Sequence, residues 1–368
     1  MHEMKFTQTE RFNKDLVSVF FAWFLSRVVV VATMWITDLF ASSETREFSS
    51  QGFRLWDAGW YQQLISGTYV ELGEEAFRFF PGFVLLGRLV QPVVGGDEVL
   101  ASVLIANLFS LCMFVILYRL VIAEIGNTTK AKIAVWILAL FPASFVLVWG
   151  YAESLFITLT LLVFLAVKKQ NWKMAALFAC LAGLTRPTGA LIAVAVATAP
   201  GFWNMTSNFK ERFERLMALM GGPLGVLAFL LWSNSQNEKK WVPFTVQEEF
   251  RGGFVDPVRR LISGVREVFA LDPDGLHVIF AFSFFLLLMV VWKHLPRHYF
   301  FYALISLLVA VSAENLNSLE RYVMAAFPYV IALAVFIDKK QIQKVAYPLS
   351  AVCLVACTAA SVAGKYVP

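Results

Sequence analysis

The chain is patterned by long apolar runs separated by short polar segments, without the alternation of a half-buried sheet or the narrow stripe of a surface helix. The first run, 16–40, reaches the roughly 20 apolar residues that carry a helix across a bilayer, as does 99–122. Further runs follow at 133–149, 155–167, 172–203, 216–232, 277–292, 299–312, 322–337 and 345–362. Residues 82–94 are apolar but short, interrupted by Arg88 and Pro92 and closed by Gly95 and Gly96. That length and embedded charge predict a helix lying in the membrane interface. The run 172–203 carries Thr185-Arg-Pro-Thr-Gly189 near its middle. Pro187 lacks a backbone donor and Gly189 frees the backbone, so the pattern allows a break there. The chain has eleven spans with that break and ten without it.

Charge decides between the two counts. With eleven spans and the N-terminus inside, the inner loops collect Lys130 and Lys132, Lys168, Lys169 and Lys173, Lys210, Arg212 and Arg215, Lys293 and Arg297, and Lys339, Lys340 and Lys344. The short outer loops then hold only Arg186 and Arg321. This is a positive-inside distribution; ten spans would invert everything after Arg186 and erase it. The expected fold class is all-α: one polytopic transmembrane helical bundle over 1–368, with a first outer loop at 41–98 and a second at 233–275. Composition agrees, because 59% of residues are apolar and only 15% charged, where a soluble domain carries about a quarter. The net charge of +5 is spread over short loops and excludes a nucleic-acid surface. Cys112, Cys180, Cys353 and Cys357 all lie in apolar runs and offer no disulfide or zinc framework. Arg27, inside the first run, either faces a partner or wet cavity or snorkels to the surface.

The outer loops hold the candidate chemistry. Asp57 stands between Trp56 and Trp60 with Tyr61 beside it, and partial desolvation among aromatic rings would raise its basicity as a general base. Read alone, the same residues are an interfacial aromatic belt with a loop cap. Glu153 is a second acid, at a tight turn between two apolar runs. Arg186 and Arg321 break the positive-inside rule on the side of Asp57. Bidentate binding of an anionic group such as a lipid phosphate explains them, and so does structural pairing with Glu153, Glu314 or Glu320. Arg78, Arg251, Arg259 and Arg260 are further candidates, in longer loops where a solvated charge is the ordinary reading. The second loop, with mixed charge and Gly252-Gly253, is expected to act as a mobile cover on the acceptor side. No cluster demands a metal: an Asp-x-Asp motif is absent apart from Asp272-Pro-Asp274, read as a turn. No G-x-G-x-x-G nucleotide fingerprint follows a strand.

Five blocks in order resemble the PIG-V family, the GPI mannosyltransferase 2 proteins and their bacterial relatives. They are Trp56-Asp-Ala-Gly-Trp-Tyr61 and Phe79-Phe-Pro81; Phe141-Pro-Ala-Ser144 with Tyr151-Ala-Glu-Ser-Leu-Phe156; Thr185-Arg-Pro-Thr-Gly189; and Glu320-Arg-Tyr322 with Phe327-Pro328. The chain departs from the family at Gly82-Phe-Val, where a further aromatic or Pro-rich run is usual, and at Thr188, where Asn is common. The resemblance implies a glycosyltransferase of GT-C type, a multi-pass membrane protein with its active site on the extracytoplasmic side, in the cell membrane if bacterial. It implies transfer of a mannose-type sugar from a polyprenyl-phosphate donor to a lipid or glycan hydroxyl, with inversion and with Asp57 as base. On that expectation Arg321, Arg186 and Arg78 hold the donor phosphate; Trp56, Trp60, Tyr61, Glu153 and Tyr322 shape the sugar and acceptor sites; and no cofactor or metal is required. The expected partners are the bilayer, the lipid-linked donor and the acceptor, with no nucleic acid. A flippase for lipid-linked sugars is the alternative. It would be expected to carry polar groups at mid-membrane and two related halves, and no internal repeat is evident.

Overall fold

Residues 8–204, 206–270 and 273–368 are described by the computed structural model, and they are helical apart from turns and one antiparallel bridge between Phe254 and Ala313. Asp272, the first residue of the stretch read as a turn, lies outside the described residues. The chain opens on α1 (Gln8–Leu39). The first long polar loop then folds as α2 (Ser43–Ser49), α3 (Asp57–Ser66), α4 (Tyr69–Leu72) and α5 (Pro81–Val90). Next come α6 (Glu98–Ile125), α7 (Thr128–Ala139), α8 (Glu153–Lys168), α9 (Trp172–Thr185), α10 (Ile192–Ala197) and α11 (Phe209–Gln236). The second long polar loop is also helical, as α12 (Val242–Arg251) and α13 (Pro257–Phe269). The chain ends with α14 (Pro273–His294), α15 (Arg297–Val311), α16 (Leu319–Ala325), α17 (Pro328–Phe336) and α18 (Lys340–Val362).

Five of these helices are long and apolar enough to cross a membrane: α1 from Asp15, α6, α11, α14 and α18. The pair α16 and α17, bent by 89°, makes a sixth if counted as one span. The other apolar runs fold as shorter pieces, and the reason is local. The run 133–149 is not one helix, because Pro142 removes a backbone donor and α7 stops at Ala139. Residues 140–152 continue as turns around a 3-10 turn at Ser144–Leu147, all of them buried. Irregular backbone at such depth is tolerated where protein surrounds it. The run 172–203 breaks at Arg186, as Pro187 and Gly189 predict: α9 ends at Thr185 and a 3-10 turn, Pro187–Leu191, leads into α10. The 82–94 stretch is a short helix and a 3-10 turn, Gln91–Val94.

Glycine sets the distance between the pieces around Arg186. A Cβ at Gly189 would come within 2.5 Å of the Gly183 backbone nitrogen, and one at Gly222 would collide with the Gly189 carbonyl. The turn, α9 and α11 therefore meet backbone to backbone, as small residues allow in membrane bundles. α8 runs through the centre with nearly every side chain buried, Glu153 included. Arg27 faces inward and does not snorkel. Its guanidinium donates to Asn107 Oδ1 (3.1 Å), Ser110 Oγ (2.5 Å), Ser26 Oγ (2.6 Å) and the carbonyls of Trp23 and Leu147 (both 3.1 Å). It thereby pins the irregular 144–147 turn to α1 and α6.

Candidate active site

Each charged residue of the site stands at an end or a break of a helix, where the backbone leaves regular structure and side chains can reach a cavity. Asp57 is the first residue of α3, a position that favours a carboxylate. The residue before it, Trp56, is held at φ 55°, a left-handed conformation that a bulky side chain rarely adopts. Gly59 has a steric reason: a Cβ there would lie 2.5 Å from the Arg54 carbonyl oxygen. The Trp56 indole donates to the Ser361 carbonyl at 3.0 Å and meets Phe48 edge-on, so it fastens the α3 start to the end of α18. Trp60 stacks on Phe79 at 5.8 Å, and Tyr61 packs edge-on against Phe79 and Phe83.

These elements enclose a cavity of about 700 Å³. Of the residues singled out from the sequence, Asp57, Arg321, Arg186, Arg78, Trp56, Trp60, Tyr61 and Tyr322 all line it, while Glu153 is buried just behind the wall. Arg321 Nη1 donates to Asp57 Oδ2 at 2.6 Å, and Arg78 Nη2 lies 3.9 Å from Asp57 Oδ1. Arg186 pairs with Glu153 Oε1, and Arg321 Nε lies 3.4 Å from the same oxygen, too poorly aligned for a hydrogen bond. The order Arg186–Glu153–Arg321–Asp57–Arg78 is a continuous chain of alternating charge. Structural pairing and anion binding are therefore not exclusive for these arginines. Glu320, a proposed partner, is engaged elsewhere, by His277 Nδ1 at 2.8 Å and the Tyr366 hydroxyl at 2.9 Å.

The Asp57 environment corrects one expectation. Burial pushes its carboxyl up, but the guanidinium groups of Arg321, Arg78 and Arg186 outweigh that and hold it below its ordinary value. The Asp57 amide adds a contact to the Tyr151 hydroxyl at 3.3 Å. In the resting site the carboxylate is ionised and ion-paired; it is not the basic group that an aromatic cage alone would make.

Arg251 is the residue the sequence left as a solvated loop charge. It lines the cavity from the end of α12, 4.8 Å from the Tyr322 ring, with contacts of 3.3–3.4 Å to the carbonyls of Asn315 and Ala310. A signal existed: Pro243, Phe244, Gln247, Phe250 and Arg251 fall on one helical face, and all of them line the cavity. Phe250 also meets Arg78 at 4.0 Å, and Lys239 reaches Glu74 at 2.8 Å, so the two long polar loops close on each other. Gly252, at φ 71°, packs on Glu314, and Val255 N–H donates to Ser312, fixing the cover to the α15–α16 connection. Four arginines (Arg78, Arg186, Arg251, Arg321) and two acids (Asp57, Glu75) line the cavity. Buried Nε atoms of Arg78, Arg251 and Arg321 lack hydrogen-bond partners among the described residues. A site of that balance attracts an anion. Among the described residues no group of three or more His, Cys, Asp or Glu is placed to hold a metal.

No protein-family model and no curated protein matches the sequence. Among solved structures the chain is similar to the oligosaccharyltransferase of Archaeoglobus fulgidus. The apo form aligns with a TM-score of 0.50 at 14% identity, covering 96% of this chain and 56% of that one. The form tethered to an acceptor peptide containing the NVT sequon aligns with a TM-score of 0.50 at 12% identity, covering 95% and 56%. This likeness shows the fold. The chain spans just over half the length of those proteins.

Proposed function

We propose that the protein is a multi-pass membrane glycosyltransferase of GT-C type, related to the PIG-V family, that takes a mannose-type sugar from a polyprenyl-phosphate donor. The observation that carries this is the pairing of Asp57 with Arg321 on the wall of an arginine-rich cavity. The five ordered sequence blocks and the shared fold support it. On this reading the shorter apolar helices complete an eleven-crossing topology with the cavity on the extracytoplasmic side.

The donor phosphate displaces Asp57 as the partner of Arg321, with Arg186, Arg78 and Arg251 available to the remaining oxygens. Once the guanidinium turns to phosphate, Asp57 loses the charge that holds its carboxyl down and becomes the better base. The acceptor hydroxyl oxygen then bonds to the anomeric carbon while its proton passes to Asp57. The anomeric C–O bond breaks with its electron pair going to the phosphate, whose growing charge the arginines stabilise. Attack opposite the leaving group inverts the sugar. Trp56, Trp60, Tyr61 and Tyr322 offer rings to the sugar and acceptor, and Glu153 sets the orientation of two arginines. The chemistry needs no metal and no cofactor, so turnover should survive a chelator.

The test is purified protein in proteoliposomes with labelled polyprenyl-phosphate mannose and a panel of lipid and glycan acceptors. Transfer or slow hydrolysis supports the enzyme. Movement of intact donor between leaflets without cleavage would make it a flippase, and the absence of both turnover and movement would retire the donor assignment in favour of a scaffold.

A further inference from the structure

The second long polar loop carries a surface that the cavity does not use. α13 folds back against the first turns of α14: a Cβ at Gly264 would come within 2.5 Å of Val278 Cγ2, and one at Gly275 within 2.8 Å of Val268 Cα. Its inner face is spoken for. Arg260 is buried there and bonds Glu267 at 2.9 Å and the Glu314 carbonyl at 2.7 Å. The opposite face is bare. Val258, Ile262, Val265 and Phe269 are all exposed, Ile262 by 66% and Phe269 by 84%. At about 100° per residue they fall within an arc of roughly 60°. Arg259 and Arg266, also exposed, share one flank of that arc.

Chain position shows what covers it. Phe269 ends α13 four residues before Pro273 begins α14, and the membrane-capable part of α14 starts at Gly275. Leu276 and Ile279, next round α14 from the α13 contact, are exposed apolar side chains of that span. With α14 read as a span from Gly275, the arc on α13 lies within a few residues of where that span leaves the membrane. An apolar arc with arginines on its flank at that depth matches a bilayer interface: side chains among the upper acyl groups and guanidinium groups on lipid phosphates.

We propose that α13 is a membrane-surface anchor seated in the phospholipid headgroup region. It holds α12, and with it Arg251, Phe244 and Phe250 of the cavity wall, at the level of the lipid phosphates, so that a lipid substrate reaches the cavity from the membrane plane. The anchor follows from the α13 surface alone and stands whether or not the cavity transfers sugar.

Spin labels on the full chain test it. Cys112, Cys180, Cys353 and Cys357 are replaced by alanine, and Ile262→Cys, Phe269→Cys or Ser263→Cys is labelled in nanodiscs of phosphatidylcholine with or without phosphatidylglycerol. Labels at 262 and 269 should respond to oxygen and lose contact with a water-soluble nickel chelate, and the label at 263 should do the reverse. Adding Arg259→Gln and Arg266→Gln should raise nickel contact at 262 in the anionic discs. Equal nickel contact at 262 and 263 would put the arc in water and overturn the proposal. Shielding of 262 from both reagents would mean that a second protein covers it, with the same consequence. An unchanged depth in the double arginine variant would overturn the phosphate contact.

Discussion

Arg27 and Arg321 are both arginines enclosed by a helical bundle, and they are built for opposite ends. Arg27 meets only neutral acceptors, the hydroxyls, an amide and the carbonyls of its own bundle, and its hydrogen bonds are saturated. It also stacks near Trp23 and Phe114. Arg321 faces two carboxylates and an open cavity, with its Nε unsatisfied. An arginine satisfied by fixed neutral dipoles has nothing to gain from an incoming anion. One held by carboxylates at a cavity lined by more arginines than acids can exchange partners. Burial alone does not separate a structural arginine from a ligand-ready one; the kind of partner does.

Breaking the Arg321 side at its partner should have the largest effect. Asp57→Asn should keep the fold and lower transfer by about 10²–10⁴-fold, measured as kcat in proteoliposomes beside a thermal melt; full activity would end the general-base assignment. Arg321→Ala should cost about 10²–10³-fold and weaken donor binding more than acceptor binding, so an unchanged apparent donor affinity would remove it from the phosphate site. Arg27→Met should do the converse. It leaves the buried Leu147 carbonyl and the Asn107 side-chain oxygen without the donor they have in Arg27, at about 1–3 kcal/mol each, lowering the melting temperature while donor affinity per folded molecule stays the same. The smallest and sharpest effect concerns pH. Because Asp57 sits below its ordinary value in the free site, the acid limb of kcat/KM should lie below the ordinary aspartate range, and any stability from its pair with Arg321 is lost only as pH drops through the folded value. If the donor phosphate draws Arg321 away, the acid limb of kcat moves to higher pH than that of kcat/KM, and coincident limbs would show that the pair survives donor binding.

The sequence by itself determined the class of fold, because a membrane requires long apolar runs and tolerates charge only where it is used. It also marked the break at Arg186, where Pro187 and Gly189 act locally. Arg186 and Arg321 stood out as exceptions to the positive-inside rule, and Asp57 because the predicted topology put it on their side of the membrane. What the tertiary structure decided lies between segments. Pro142 turned a predicted span into a short helix and an irregular buried stretch, since the surrounding bundle could shelter its backbone. The two long polar loops became helices that close on each other, and this brought Arg251 from an apparently solvated loop to the cavity wall. The sign of the shift at Asp57 was not legible either. Its rings are neighbours in sequence, but the arginines that govern it come from α16, the Arg186 break and the Arg78 turn. Charge interactions depend on distance in space, and only the fold sets that.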